Sequence, residues 1–255
     1  MMKKLESDPE LHKALADQLR KDFQDNLSQS HDFMQLVKLV RGHAEALLHD
    51  KFPGLDSTEA AEHLPVEGAI FFSTELMLVK MDALVFLNEI NRAFGGETRF
   101  RIHSFVLKYV RIYNWQAKQK DLSIRLDGET YAWARYNGDA VGAVVQALLD
   151  NLVKYAPADS RASVSFREQG GHVSLAFASL GPKIEADELA QIFLPGHRAR
   201  AARTVEDGGM GVGLATAKKV SDALGLELSV EQAEAPDPHH PARYLTTFRF
   251  LLVQA

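Results

Sequence analysis

The sequence predicts an α+β protein: a helical hairpin that pairs with a second copy into a four-helix bundle, then a domain of mixed sheet covered by helices on one face. Three observations carry that expectation. Phe33, Val37, Val40, Ala44 and Leu47 follow one another at alternating steps of four and three, the seam of a helix packing against other helices. Leu76, Val79, Ala83, Phe86, Ile90 and Ala93 repeat the spacing in a second apolar segment. After Gly96 the period changes, and short strand-like runs alternate with helical ones. Two helices joined by one connection leave apolar stripes uncovered, so a homodimeric bundle is the simplest way to close the core. The expected division is residues 1–96 for the bundle and 97–255 for the second domain.

At 255 residues, with 46% hydrophobic and 25% charged residues, the chain has enough apolar material for a real core. Its formal net charge of -5 and the lack of a concentrated basic stretch argue against a nucleic-acid partner. Cysteine is absent, which removes disulfides and thiolate metal sites and fits a reducing compartment. No apolar run reaches the length of a membrane span, and the first residues are polar, so the expectation is a cytoplasmic chain with no direct membrane insertion.

Element by element, residues 1–29 carry Leu11, Leu15, Leu19 and Phe23 at steps of four and are expected to lead helically into the first seam helix, Ser30 to Leu48. Phe52-Pro53-Gly54 stops that helix. A polar connection then runs to about Gly68, and a second helix covers Phe71 to Phe94 until Gly95-Gly96. Strands are expected at Arg99 to Ile102, and at Leu122 to Leu126 and Tyr131 to Arg135 around an Asp127-Gly128 turn, with a helix from Phe105 to Lys118. A long helix runs from a cap at Asp139 to Tyr155, before Pro157. Ala162 to Phe166 and Val173 to Phe177 read as a hairpin joined at Gly170-Gly171. A short helix near Ala186 to Ile192, a loop with arginines and glycines, a helix from Gly211 to Leu224, and strands near Leu228 and Leu245 to Val253 complete the chain.

Three stretches carry chemistry. In GGMGVGLATAKKV, from Gly208, glycines 209, 211 and 213 alternate immediately before a helix, so backbone can approach a polyanion while the helix N-terminus supplies unpaired N–H groups. Tight packing alone is the competing explanation, and neither the dinucleotide spacing nor the lysine of a P-loop is present. In ALLDNLVKYAP, from Ala147, the residues Asn151, Lys154 and Tyr155 share a helix face and offer a neutral oxygen, a cation and a ring, which suits Mg2+, a phosphate and a nucleobase edge. In SHDFMQLVKLVRGHAEALL, from Ser30, His31 lies off the apolar seam, with Asp32 beside it and Gln35 one turn away.

These stretches together resemble the cytoplasmic core of a two-component sensor histidine kinase, whose ATP-binding domain shares its fold with gyrase and heat-shock chaperone ATPases. The resemblance runs from about Ser30 to Val253. The histidine stretch is similar to the phosphoacceptor box SHDLRTPLTSIRGYAELL without a gap, which implies that His31 is phosphorylated and that Asp32 holds its proton. Gln35, one helical turn from His31, is placed for its carboxamide to orient a water that dephosphorylates a partner regulator, with a plain surface glutamine as the competing explanation. ALLDNLVKYAP resembles the N box, implying Asn151 as a Mg2+ ligand and Lys154 and Tyr155 as nucleotide contacts. SLGPKI falls where the first glycine box DNGPGI is expected, which puts Ser179 and Gly181 at the nucleotide. QIFLPGHRA, from Gln191, looks like the F box. GGMGVGLA is the second glycine box almost unchanged, implying Gly209, Gly211, Gly213 and Leu214 as nucleotide-binding.

The implied function is a histidine autokinase using ATP and Mg2+, passing its phosphoryl group from His31 to an aspartate of a response-regulator receiver domain, in an α/β sandwich of the histidine kinase and gyrase type. Departures favour an alternative, a kinase-derived phosphotransfer or adaptor protein whose ATP site has decayed. Ser179 stands where the family has an aspartate for the adenine amino group, Lys183 replaces a glycine, and Ala147 replaces the first asparagine of the N box. Met34, Gln35 and Leu36 replace Arg-Thr-Pro, which removes a kink. Arg198, Arg200 and Arg203 lie in the lid position, where a solvated basic loop explains them equally well. His239-His240 between prolines reads as a turn, and Trp115 and Trp133 as core.

Overall fold

The first helix of the computed structural model, α1 (32–51), runs unbroken through Met34, Gln35 and Leu36; the structure describes residues 32–88, 96–205 and 211–255. The expected helix over 1–29, His31, Ile90, Ala93 and Gly209 lie outside the described residues. On α1 the apolar seam divides. Val37, Ala44 and Leu48 are buried, at 6%, 2% and 0% exposure, whereas Phe33, Val40 and Leu47 are about half exposed at 50%, 47% and 50%. One row of the heptad therefore packs inside the chain, and the row seven residues apart from Phe33 to Leu47 is uncovered by it.

The connection after α1 is shorter than its polarity suggests, because it folds into α2 (Ser57–His63), capped by Asp56, whose carboxylate accepts from the amides of Thr58 and Glu59 at 2.8 and 2.9 Å. Then α3 (Pro65–Asn88) begins six residues before the expected Phe71 start. Proline is tolerated at that first helical position, where its missing N–H would lack an intrahelical partner anyway. Gly68 is needed at the α2–α3 junction, since a Cβ there would lie 2.0 Å from the carbonyl oxygen of Ala61. Ala44, Leu48, Ala60, Ala61, Phe71 and Phe72 make a small core, completed by Trp115 from the next part of the chain. Arg41 and Glu75 pair across α1 and α3 at 3.0 Å.

The second part follows the order β1 (Thr98–Arg101), α4 (Ile102–Lys118), β2 (Ser123–Asp127), β3 (Trp133–Tyr136), α5 (Gly138–Tyr155), β4 (Arg161–Gln169), β5 (His172–Gly181), α6 (Arg200–Val205), α7 (Gly213–Leu224), β6 (Ser229–Gln232) and β7 (Tyr244–Val253). Five strands form a mixed sheet in the order β2-β4-β5-β7-β6, with β2 parallel to β4 and the remaining pairs antiparallel. Along β5, Val173, Leu175 and Phe177 are buried on one face, and Phe248, Phe250 and Leu252 of β7 join them in a core shared with α4, α5 and α7. The expected sheet with helices on one face is what the chain builds.

Several local expectations need correction. The strands on either side of Asp127-Gly128 do not pair: β2 joins the main sheet, and β3 pairs with β1 in a separate two-stranded sheet. Turn residues between two strands signal a reversal, not a partner. Asn137, not Asp139, caps α5, its side-chain oxygen accepting from the Ala140 amide at 2.9 Å. The helix expected near Ala186 is a run of turns ending in a 3-10 turn, Gln191–Phe193, and the loop after it contains α6. Trp133 is only partly buried and is flanked by Arg99 and Arg101, whose guanidinium carbons lie 4.9 and 5.2 Å from its ring centre. His239 and His240 do sit in a turn, held by Asp237, which accepts from both backbone amides. Packing also crosses the 96/97 division: Val79 of α3 belongs to the main core, and Phe72 stacks on Trp115 at 6.2 Å.

Candidate nucleotide site

The α5 sequence is apolar on two sides, which fixes how the helix lies. Val141, Val144, Val145, Leu148 and Leu149 are at most 1% exposed, pressed into the main core. That leaves Ala143, Gln146, Ala147, Asp150, Asn151 and Lys154, at helical steps of three and four, as one stripe facing a cavity of about 380 Å3. The C-terminal end of the helix is secured by Lys120, whose ammonium donates to the carbonyls of Val153 and Lys154 at 2.8 and 2.9 Å.

Opposite the stripe, the sheet supplies Ser179 and Thr246, a cross-strand pair of β5 and β7 on the helix-covered face. Both are nearly buried, at 8% and 6% exposure. Gln232 of β6 clamps the segment that leaves β5. Its Nε2 donates to Thr246 Oγ1 at 2.7 Å and to the Pro182 carbonyl at 3.0 Å, while its Oε1 accepts from the Ile184 amide at 2.8 Å. Gly181 fits close to Thr246, whose Oγ1 would be 3.3 Å from an added Cβ. Lys183 does not line the cavity and instead pairs with Glu185 at 3.0 Å.

The third wall is the N-terminal end of α7, where Gly211, Val212, Gly213 and Leu214 meet His197 and Arg198. No side chain among the described residues caps α7, so its first amides remain available to an anion. The two described glycines there do different work. Gly211 has φ +67° and would bring a Cβ within 2.7 Å of the His197 carbonyl oxygen, and its own carbonyl accepts from the Gly196 amide at 3.0 Å. It is a packing glycine that holds the loop against the 196–197 segment. Gly213 has open space where a Cβ would be, which keeps backbone accessible at the helix start.

Of the expected nucleotide-binding residues, Asn151, Lys154, Tyr155, Ser179, Gly181, Gly211, Gly213 and Leu214 all line this one cavity. Asp32 and Gln35 are exposed on α1 and do not line it. The structure adds Lys80, Tyr113, Gln146, His197 and Thr246. Gln146 was legible as the member of the α5 stripe one turn before Asp150, and Thr246 as the inward residue of an alternating strand. Lys80 had no local signal, because it comes from α3 and reaches the cavity through an ion pair with Asp150 at 2.6 Å. Burial pushes the Tyr113 hydroxyl well above its usual value near 10, with the Asp150 carboxylate adding to the shift, so it stays protonated as a donor.

As to metal, Asn151 offers a neutral oxygen and Asp150 a carboxylate on the same wall. These hard oxygens fit Mg2+, which takes one or two protein oxygens beside phosphates and keeps several waters. No cluster of three or more His, Cys, Asp or Glu able to hold a metal by themselves occurs among the described residues. No helix among the described residues is long and apolar enough to cross a membrane.

Comparison with known proteins points the same way. Residues 136–254 match the family described as histidine kinase-, DNA gyrase B-, and HSP90-like ATPase. The sensor histidine kinase YkoH of Bacillus subtilis (strain 168) is 30% identical over 113 residues, 44% of this chain and 24% of that protein. The sensor-like histidine kinase SenX3 of Mycolicibacterium smegmatis is 28% identical over 170 residues, 60% of this chain and 44% of that protein. The solved structure of full-length ShkA in complex with AMPPNP is alike in fold, with a TM-score of 0.52 at 18% identity over 91% of this chain and 47% of that one. The chain thus spans less than half the length of each of these proteins.

Gly211→Ala is expected to destabilise the protein by about 1 to 3 kcal/mol, since a side chain there is strained in φ and meets backbone. Gly213→Ala is expected to leave stability within about 1 kcal/mol. Urea unfolding of both variants checks this, and equal midpoints for the two would contradict the division of roles.

Proposed function

We propose that this chain, which carries a histidine kinase-type ATP-binding core, is a homodimeric histidine autokinase that moves the γ-phosphoryl group of ATP to His31 and then to an aspartate of a response-regulator receiver domain. The observation that supports this best is the meeting of Asn151, Lys154, Tyr155, Ser179 and the α7 N-terminus around one cavity. Phosphates at the uncapped amides of α7 gain from the helix dipole, and Lys154 offsets their charge. The base lies against Tyr155 with its edge toward Ser179. Asn151 and Asp150 would hold Mg2+, which when bound supplies charge neutralisation at the phosphates.

An imidazole nitrogen of His31 attacks the γ-phosphorus. A P–N bond forms while the bond to the β-bridging oxygen breaks and ADP leaves, and Asp32 holds the imidazole proton. Gln35, one turn along α1, orients a water for dephosphorylation of the docked regulator. Asp32 lies on α1 outside the cavity lining, so the acceptor reaches the nucleotide either by movement of the hairpin within one chain or from the second copy. ATP as substrate places the core in the cytoplasm. An open cavity lined by Asn151, Lys154, Tyr155 and the start of α7 argues against the alternative, a phosphotransfer or adaptor protein with a decayed ATP site.

Incubation with γ-labelled ATP and Mg2+ is expected to put an acid-labile phosphate on the wild-type chain and none on His31→Ala. Label retained by His31→Ala would contradict the assignment of the acceptor, and His43→Ala, which should still be labelled, serves as the control.

The uncovered row Phe33, Val40 and Leu47 is the proposed dimer seam. Light scattering is expected to give the mass of two 28.3 kDa chains, and Val40→Glu, which buries a charge in the seam, should shift the mass toward one. A monodisperse wild-type monomer at micromolar concentration contradicts the bundle.

A further inference from the structure

We propose that the base end of the cavity reads a purine edge through two reversible hydroxyls, Ser179 and Thr246, so that the chain takes guanine as well as adenine nucleoside triphosphates; this rests on the nucleotide-binding reading above. The two residues are cross-strand partners on β5 and β7, and both line the cavity. Each is more than nine-tenths buried, at 8% and 6% exposure. The charged side chains of the cavity wall, Lys80, Asp150, Lys154 and Arg198, come from helices and from the 197–198 segment, none from the sheet. A base edge resting on the sheet therefore meets two neutral hydroxyls and no fixed charge.

Adenine and guanine present opposite patterns at that edge. Adenine has an amino donor at C6 and an acceptor at N1, whereas guanine has a carbonyl acceptor at C6 and a donor at N1. A carboxylate only accepts, so it selects the amino group and repels the carbonyl. A hydroxyl carries one donor and two acceptor sites, and its hydrogen turns to suit. The Ser179 hydroxyl makes no hydrogen bond among the described residues, so nothing holds it in one sense. It accepts from the amino group of adenine or donates to the carbonyl of guanine.

Gln232 decides how Thr246 takes part. Backbone orients its carboxamide from both sides, Oε1 accepting from the Ile184 amide at 2.8 Å and Nε2 donating to the Pro182 carbonyl at 3.0 Å. Nε2 is then also the donor to Thr246 Oγ1, at 2.7 Å. That occupies one lone pair of Oγ1 and leaves the other, with the hydroxyl hydrogen, for the base. The protein acceptor for this hydrogen is the Tyr244 carbonyl at 3.3 Å, longer than the usual O–H···O bond of about 2.7 to 2.8 Å and so given up at little cost. Thr246 donates to N1 of adenine or accepts from N1–H of guanine. Turning two hydrogens, with no movement of backbone, exchanges one purine for the other.

The test is calorimetric titration of the full chain with non-hydrolysable analogues of ATP and of GTP, each with Mg2+. The wild type is expected to bind the two within about fivefold of each other, since either purine gains neutral hydrogen bonds of similar strength. Ser179→Asp, which fixes the edge as an acceptor and sets a charge against the guanine carbonyl, is expected to open a preference for the ATP analogue of roughly ten- to a hundredfold. Ser179→Ala is expected to weaken both analogues alike, by roughly three- to tenfold, and carries the test if the aspartate variant does not fold. A wild-type preference for the ATP analogue beyond about fivefold, or a Ser179→Ala loss confined to that analogue, overturns the proposal and leaves the nucleotide reading standing. A wild type that binds neither analogue defeats the nucleotide reading and the proposal with it.

Discussion

The burial of α5 is the constraint on which the site depends. Its apolar residues press into the core shared with the sheet, α4 and α7, and each fully buried Val or Leu contributes about 1.5 to 3 kcal/mol. Asn137 satisfies an amide at one end and Lys120 two carbonyls at the other. With rotation and register so fixed, the remaining stripe has no choice but to face the cavity. A site carried on a locked helix and on paired strands is more sharply placed than one carried on loops, and here Asn151, Lys154 and Ser179 all stand on such elements.

The hairpin is joined to that framework through α3. Val79 enters the main core, Phe72 stacks on Trp115, and Lys80 pairs with Asp150 at the cavity. The exposed half of the α1 seam lies on the other part of the hairpin. The hairpin thus meets the second part of the chain through α3, while Phe33, Val40 and Leu47 of α1 stay uncovered by the rest of the described residues.

Much of this was legible in the sequence because it is periodic. The four-three spacing marked both hairpin helices, alternation marked β4 and β5, and the glycine run marked the start of α7. What escaped was decided by tertiary partners. Asp127-Gly128 announced a turn but could not say that β2 and β3 enter different sheets, since strand pairing depends on distant residues. Asn137 outcompeted Asp139 as cap because the chain enters the helix two residues earlier. Gly211 looked like a phosphate glycine, yet its requirement comes from the His197 carbonyl, a contact across the loop. Lys80 reaches the cavity from seventy positions before its partner Asp150, and no local pattern encodes that.

Ser179 is where the account is most exposed. At the floor of the cavity it offers a neutral hydroxyl, with Thr246 beside it already accepting from Gln232. A carboxylate at that position would accept the adenine amino proton as a charge-assisted bond, a difference of roughly 1.5 to 3 kcal/mol, or one to two decades in affinity. The direct measurement is therefore the dissociation constant of a non-hydrolysable ATP analogue with Mg2+ for the wild-type chain and for Ser179→Asp. The account predicts measurable, weak binding to the wild type and tightening in the variant. Silence from both at millimolar nucleotide would contradict it.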